Sequence, residues 1–200
     1  MSGTRDIILQ ALRATRGAEQ ARVSYIFPAP PGDLVSLFVE KAKQSEADVA
    51  MIGARDDTPA AVAAFLAAIK APPRLHIPRD SLLRALPWQR AAGLTVSIDP
   101  PGPEDAALAE ASCGIAETGT VVFASGAQQP ASWHFLPGRE IVLLPRARIL
   151  ARMEDALALF AGNIPATLNL VTGPSRTGDI EQTIERGAHG PRAVHILIYD

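Results

Sequence analysis

The sequence predicts an α/β fold, organised as one main domain with helices covering a parallel sheet. Three observations carry that expectation. "DVAMIGA" and "RLHIP" are short apolar runs separated by an alanine-rich helical stretch, Pro59–Lys70, which is the strand–helix–strand order of a parallel unit. Two other segments place apolar residues at helical spacing: Ile7, Ile8 and Leu12 near the start, then Leu34, Val35, Phe38 and Ala42. Finally, 200 residues with 48% hydrophobic content are enough to bury a sizeable core.

The elements follow in order. The opening stretch predicts an amphipathic helix, and the proline-rich "RVSYIFPAPPG" predicts a connection that separates it from the body. A second helix follows Pro31. Thr58-Pro59 reads as an N-cap with proline at the first helical position. "SLLRAL" predicts a short helix, "LTVSI" a strand, and "PEDAALAEAS" another helix. From Gly114 onward, "GTVVFAS", "SWHFLP" and "EIVLLP" read as short strands of a meander. "MEDALALFAG" predicts a helix ending at Gly162. "ATLNLVT", a glycine loop, a helix over Asp179–Arg186 and "AVHILIYD" predict a closing βαβ unit. The expected division is a helix and linker over 1–28 and a domain over 29–200.

Composition narrows the function. Nineteen Lys+Arg against 21 Asp+Glu give a formal charge of −2 with no basic block, so no nucleic-acid footprint is expected. The single cysteine, Cys113, leaves no internal disulfide, no self-contained iron–sulfur cluster and no zinc–cysteine site; it reads as a small buried hydrophobe. No His/Asp/Glu spacing resembles a metal site, and nothing suggests a bound flavin or nicotinamide, so no metal and no cofactor is expected. "MSGTRDIILQALRATRG" lacks an apolar h-region, and the apolar runs are far below the roughly 20 residues of a membrane helix. A cytoplasmic address without a membrane span is the expectation.

Two polar loops stand out. "VTGPSRTGDIE" offers hydroxyls at Thr172, Ser175 and Thr177, a cation at Arg176 and a carboxylate at Asp179, with Gly173 bringing the backbone close. Between a strand and a helix, such a loop reads either as an anion cradle or as turn-and-cap chemistry in which Asp179 caps the helix. It has neither the G-K-[ST] of a Walker A loop nor the G-x-G-x-x-G spacing. Gly187 suits a helix C-cap, and His189 is a loop histidine or a proton carrier facing the same pocket. "CGIAETGTVVFASG" places Glu117 between small residues at the mouth of an apolar strand. There it is a solvent-facing turn residue beside Gly119 or, once desolvated, a base or nucleophile. Trp133 and His134 read as core or pocket wall, and His76 and His195 as buried strand histidines.

Together "GIAETGTVVFASG", "LPGREIVLLP", "VTGPSRTGDIE" and "GAHGPRAVHILI" resemble the LUD-domain family in its lactate-utilisation branch, across Ser112 to the end of the chain. The first half resembles it only in α/β texture. The resemblance implies a three-layer α/β/α sandwich like that of glucosamine-6-phosphate isomerase, ribose-5-phosphate isomerase and the CoA transferases, with an N-terminal helical extension. It implies a role in oxidising L-lactate to pyruvate with iron–sulfur and cysteine-rich partner proteins. The family pattern carries over to Glu117, Thr118, Gly119 and Thr120, to Gly173, Pro174, Ser175, Thr177, Asp179, Ile180 and Glu181, and to His189, Gly190 and Pro191. Arg139-Glu140 departs from it, since relatives often place histidine there. "AETG" is also similar to the Ser-Glu-Asn-Gly turn of CoA transferases, whose glutamate is a nucleophile.

Three functions are therefore open. The chain is a subunit binding a small anion, with Glu117 and His189 handling protons and Thr118, Gly119, Thr120, Gly173, Ser175, Arg176, Thr177, Asp179 and Gly190 holding the ligand. Alternatively it is a non-catalytic docking module of that system, or an isomerase or CoA-transferase-like enzyme using Glu117.

Overall fold

A computed structural model describes residues 3–14, 32–177, 185–187 and 189–200. Helix α1 (Gly3–Ala14) buries none of its residues, and Ile7, Ile8 and Leu12 are 66%, 54% and 62% exposed. The proline-rich connection lies outside the described residues. Helix α2 (Leu34–Gln44) begins where the Asp33 carboxylate accepts from Ser36 N at 2.9 Å, and it buries Phe38 and Ala42.

The chain continues through β1 (Asp48–Ile52), α3 (Thr58–Ala68), β2 (Arg74–His76), β3 (Thr95–Ser97) and β4 (Ala106–Glu110). Next come β5 (Cys113–Ile115), β6 (Thr120–Ala124), β7 (Arg139–Pro145), β8 (Ile149–Leu150) and α4 (Met153–Ala158). The last elements are β9 (Leu168–Val171), β10 (Arg176–Thr177), β11 (Glu185–Arg186) and β12 (Ala193–Tyr199).

Six strands form a parallel sheet in the order β1-β12-β7-β4-β2-β3. Its central strands are covered on both faces, which is why β7 and β12 are continuous apolar runs rather than alternating ones. One face packs Leu66, Leu75, Leu108, Ile141, Leu143 and Leu197 with α3. The other packs Val142, Leu144, Ile196 and Ile198 against Phe38 and Ala42 of α2 and against Val121 and Phe123. Those last two belong to a second sheet, β8-β5-β6-β9, whose far face buries Cys113, Ile115 and Val122 with Ala156 of α4. The result is a parallel central sheet flanked by helices, with a small mixed sheet inserted into one flank.

Three local expectations are corrected. "PEDAALAEAS" is not a helix, because Ala106–Glu110 is the strand beside β7. Alanine's helix preference amounts to ~0.7 kcal/mol per residue at most, and here Ala106, Ala107, Leu108 and Ala109 are all buried within the parallel ladder, so tertiary packing overrides it. "SWHFLP" contains a tight 3-10 turn, Ala131–His134, that buries Trp133 and His134 beneath a loop. The closing segment is not a βαβ unit either. β9 pairs antiparallel with β6 in the small sheet, and Arg176–Thr177 pairs antiparallel with Glu185–Arg186. The last two residues of the expected helix are thus a strand, and Asp179, Ile180 and Glu181 lie outside the described residues.

Candidate functional site

The A-E-T-G-T turn is shaped by backbone bonds. Past the end of β5, Ala116 N and Glu117 N donate to Leu150 O and Ala151 O at 2.8 and 3.2 Å, and Gly119 N closes the turn on Ile115 O at 2.9 Å. Gly119 has φ +69° and its Cα lies against Lys41 and Ala42, so a Cβ would enter the α2 backbone. Glu117 is exposed, and its Oε1 accepts from Met153 N at 2.9 Å, at the first residue of α4. Glu117 is therefore a cap for a neighbouring helix supplied from a distant turn.

The G-P-S-R-T loop docks on the same end of α2. Gly173, at φ +71°, lies against the carbonyl of Ser45. Three hydroxyls join the two loops: Thr118 to Thr120 at 2.7 Å and Thr120 to Thr172 at 2.6 Å. The Arg176 guanidinium is held by Glu46 Oε1 at 3.1 Å and donates to Ser45 O at 3.3 Å. Ser175 accepts from Gly187 N through its carbonyl and donates its amide to Pro191 O, which ties the loop to the approach of β12. Thr177 is half-buried in the β10–β11 ribbon.

His189 and Gly190 line a cleft of about 290 Å³ with Pro103, Gly138, Gly187 and Arg192. Arg192 pairs through both amino groups with Glu104, which is largely exposed. This cleft opens at the residues that precede β4, β7 and β12, the amino edge of the sheet. Glu117 and Arg176 are not among its lining residues. The structure thus brings the two motif loops together through Thr120 and Thr172, while Glu117, Arg176 and His189 face different neighbours. Among the described residues no group of three or more His, Cys, Asp or Glu is placed to hold a metal ion. No helix among them is long and apolar enough to cross a membrane.

Two clusters escaped sequence reasoning. At the carboxyl edge of the sheet, Glu110 at the end of β4 receives Arg55 through both oxygens, at 3.3 and 2.9 Å, and the Tyr199 hydroxyl at 3.0 Å. Glu110 was hidden because its segment reads as helix. Beneath the 3-10 turn, His134 Nδ1 and Glu140 Oε1 are 2.5 Å apart, both side chains buried. Burial pushes the Glu140 carboxyl above its ordinary range, against the opposing pull of His134. Its Oε2 lacks a hydrogen-bond partner, and Glu140 is among the residues lining a void of about 10 Å³, the space of one water. The signal available was the placement of Glu140 inside an apolar strand.

A parallel sheet flanked by helices, with two glycine-hinged loops docked on one helix end, defines an α/β domain class, and comparison relates its second half to a family. Residues 103–199, just under half of the chain, match the LUD domain. The lactate utilization protein C of Geobacillus kaustophilus is 34% identical over 120 residues, covering 56% of this chain and 50% of that protein. The lactate utilization protein C of Bacillus subtilis is 38% identical over 93 residues, covering 43% and 39%. The chain spans about half the length of the curated relatives it matches. A crystal structure of a DUF162 family protein from Deinococcus radiodurans superposes with a TM-score of 0.63, covering 84% of this chain and 96% of that one at 19% identity, which identifies the shared fold.

Proposed function

We propose that the chain serves lactate utilisation, as a subunit supporting oxidation of L-lactate to pyruvate with iron–sulfur and cysteine-rich partners, and that it binds a small anionic ligand. The observation that supports this most is the position of the matched segment. Residues 103–199 contain both motif loops and the His189 cleft, and relatives bearing the lactate-utilisation name align with this chain. In this reading the ligand's charge meets Arg192, displacing the exposed Glu104 carboxylate, and His189 and Gly190 form the adjoining wall. His189 handles protons at the cleft, Thr118, Gly119, Thr120, Gly173, Ser175, Arg176 and Thr177 shape the two motif loops, and Glu117, engaged by Met153 N outside the cleft, anchors α4 to the first of them.

The test is genetic and thermal. A strain lacking the gene should lose growth on L-lactate and regain it with the full chain. Lactate or pyruvate should raise the melting temperature of the native chain and not of Arg192→Ala. Normal growth of the deletion strain would reject the role; equal shifts in both proteins would reject the cleft.

A second reading, the docking module, is favoured by two observations. The Glu117 carboxylate and the Arg176 guanidinium are already engaged by the protein, and α1 presents Ile7 and Ile8 to solvent. It predicts that Ile7→Asp/Ile8→Asp abolishes copurification with an iron–sulfur partner, while Glu117→Gln leaves it intact.

A further inference from the structure

We infer that the cleft at the carboxyl edge of the parallel sheet, distinct from the His189 cleft, binds a hydroxylated organic monocarboxylate. Glu110, Ala111 and Ser112, which lead out of β4, line it together with Pro145 at the end of β7. Arg148 and, just past α4, Leu159 and Phe160 complete the lining. Its volume of about 400 Å³ lies in the usual range for small-molecule sites, and open parallel sheets bind ligands at this edge.

Glu110 is the oriented acceptor. Its Oε1 already receives Arg55 Nε and the Tyr199 hydroxyl, while Oε2 receives Arg55 Nη2 alone. A carboxylate oxygen accepts two bonds, so Oε2 keeps one lone pair for a ligand hydroxyl. Glu110 and Tyr199 end β4 and β12, and Arg55 lies in the turn between β1 and α3, so the acceptor is held at the carboxyl edge of the sheet.

The charge balance selects a monoanion. Arg55 is neutralised by Glu110, and Arg146 faces Asp200 at 3.4 Å. Arg148 is exposed and has no ion-pair partner among the described residues, leaving one cation at the cleft. A carboxylate matches it; a di- or triphosphate would carry uncompensated charge beside Glu110. Leu159, 48% exposed, and Phe160 supply an apolar wall that a three-carbon acid leaves unfilled, since the cleft holds the volume of about 13 waters at ~30 Å³ each. The ligand therefore carries an apolar body as well as its carboxylate and hydroxyl.

Mandelate has all three features, and isothermal calorimetry of the full chain is the test. Saturable binding is expected, weakened at least tenfold in Arg148→Ala and in Leu159→Asp, and unchanged in Arg192→Ala, which probes the other cleft. Phenylacetate, which lacks the hydroxyl, should bind several-fold more weakly than mandelate. Absence of saturable binding to the native chain, equal affinity in Arg148→Ala with its circular dichroism unchanged, or tighter Arg148-dependent binding of AMP than of mandelate would each overturn the assignment.

Discussion

Thr120 Oγ1 and Thr172 Oγ1 lie 2.6 Å apart, and this contact joins the two glycine-hinged loops that are separated by 52 residues in the chain. Thr120 is buried at 3% exposure and also meets Thr118 Oγ1, so its hydroxyl is the middle of a three-membered chain. Replacing Thr120 with Val keeps the shape and strands a neighbour's hydroxyl. The expected loss is ~1–2 kcal/mol in urea unfolding. A cycle with Thr172→Val should show coupling of ~0.5–1.5 kcal/mol. Strictly additive losses would mean the two hydroxyls do not act as a pair.

The two hinge glycines carry a larger penalty. Gly119 and Gly173 both have positive φ, and at each a Cβ would run into backbone atoms at the end of α2, of Ala42 and of Ser45. The helix end cannot yield without losing the bonds of Ser45 N to Ala42 O and Lys41 O. Gly173→Ala is expected to cost ~2 kcal/mol or more, combining unfavourable backbone conformation with overpacking. Gly126, which has open space around it, serves as the control, and its alanine variant should melt like the native chain. Matching melting temperatures for Gly173→Ala and Gly126→Ala would refute the close approach.

A pH dependence follows from His195. Its Nδ1 is 2.8 Å from Asp48 Oδ2 and its ring stacks on Phe65 at 3.9 Å between centroids. Burial lowers its pKa below the ordinary 6.5, and the Asp48 carboxylate opposes the shift without reversing it. Above 6.5 the imidazole is neutral in both states and contributes no slope. As pH falls through 6.5 the unfolded chain takes up the proton first, so this group removes stability until the lower folded value is passed. In Asp48→Asn the opposing negative charge is gone, the folded pKa drops further and the acid loss deepens. Imidazole NMR titrations of both proteins check the order; a native value at or above 6.5 would contradict it.

The sequence was most legible where chemistry is local. Gly119 and Gly173 stand out as hinges because only glycine tolerates positive φ against a neighbouring backbone, and β7 and β12 are recognisable from unbroken apolar runs. β4 was misread because Ala106–Glu110 is equally consistent with a helix until the strands on either side are known. The Arg55–Glu110–Tyr199 cluster was invisible for another reason. Its members are 55 and 89 residues apart, and no spacing rule links two strand ends and a turn that become neighbours only through sheet order. Arg176 was legible as a cation near glycines, but its partner Glu46 belongs to the distant α2–β1 turn, and that partner decides whether the cation is available.

Cys113 supplies a prediction about reactivity. It sits in the small sheet against Ile115, Val122 and Ala156, fully buried, and burial pushes its thiol up to about 11 despite the nearby positive charge of Arg148. The thiolate is the reactive form, so at pH 8 only ~0.1% of the thiol would be ionised even if reagent reached it. Ellman's reagent should therefore leave the native protein essentially unlabelled over an hour and react with one equivalent within minutes in 6 M guanidinium. Arg148→Ala removes the charge that favours the thiolate and should slow native labelling further. Rapid labelling of the native chain would show that the α4 side of the small sheet opens far more readily than its packing implies.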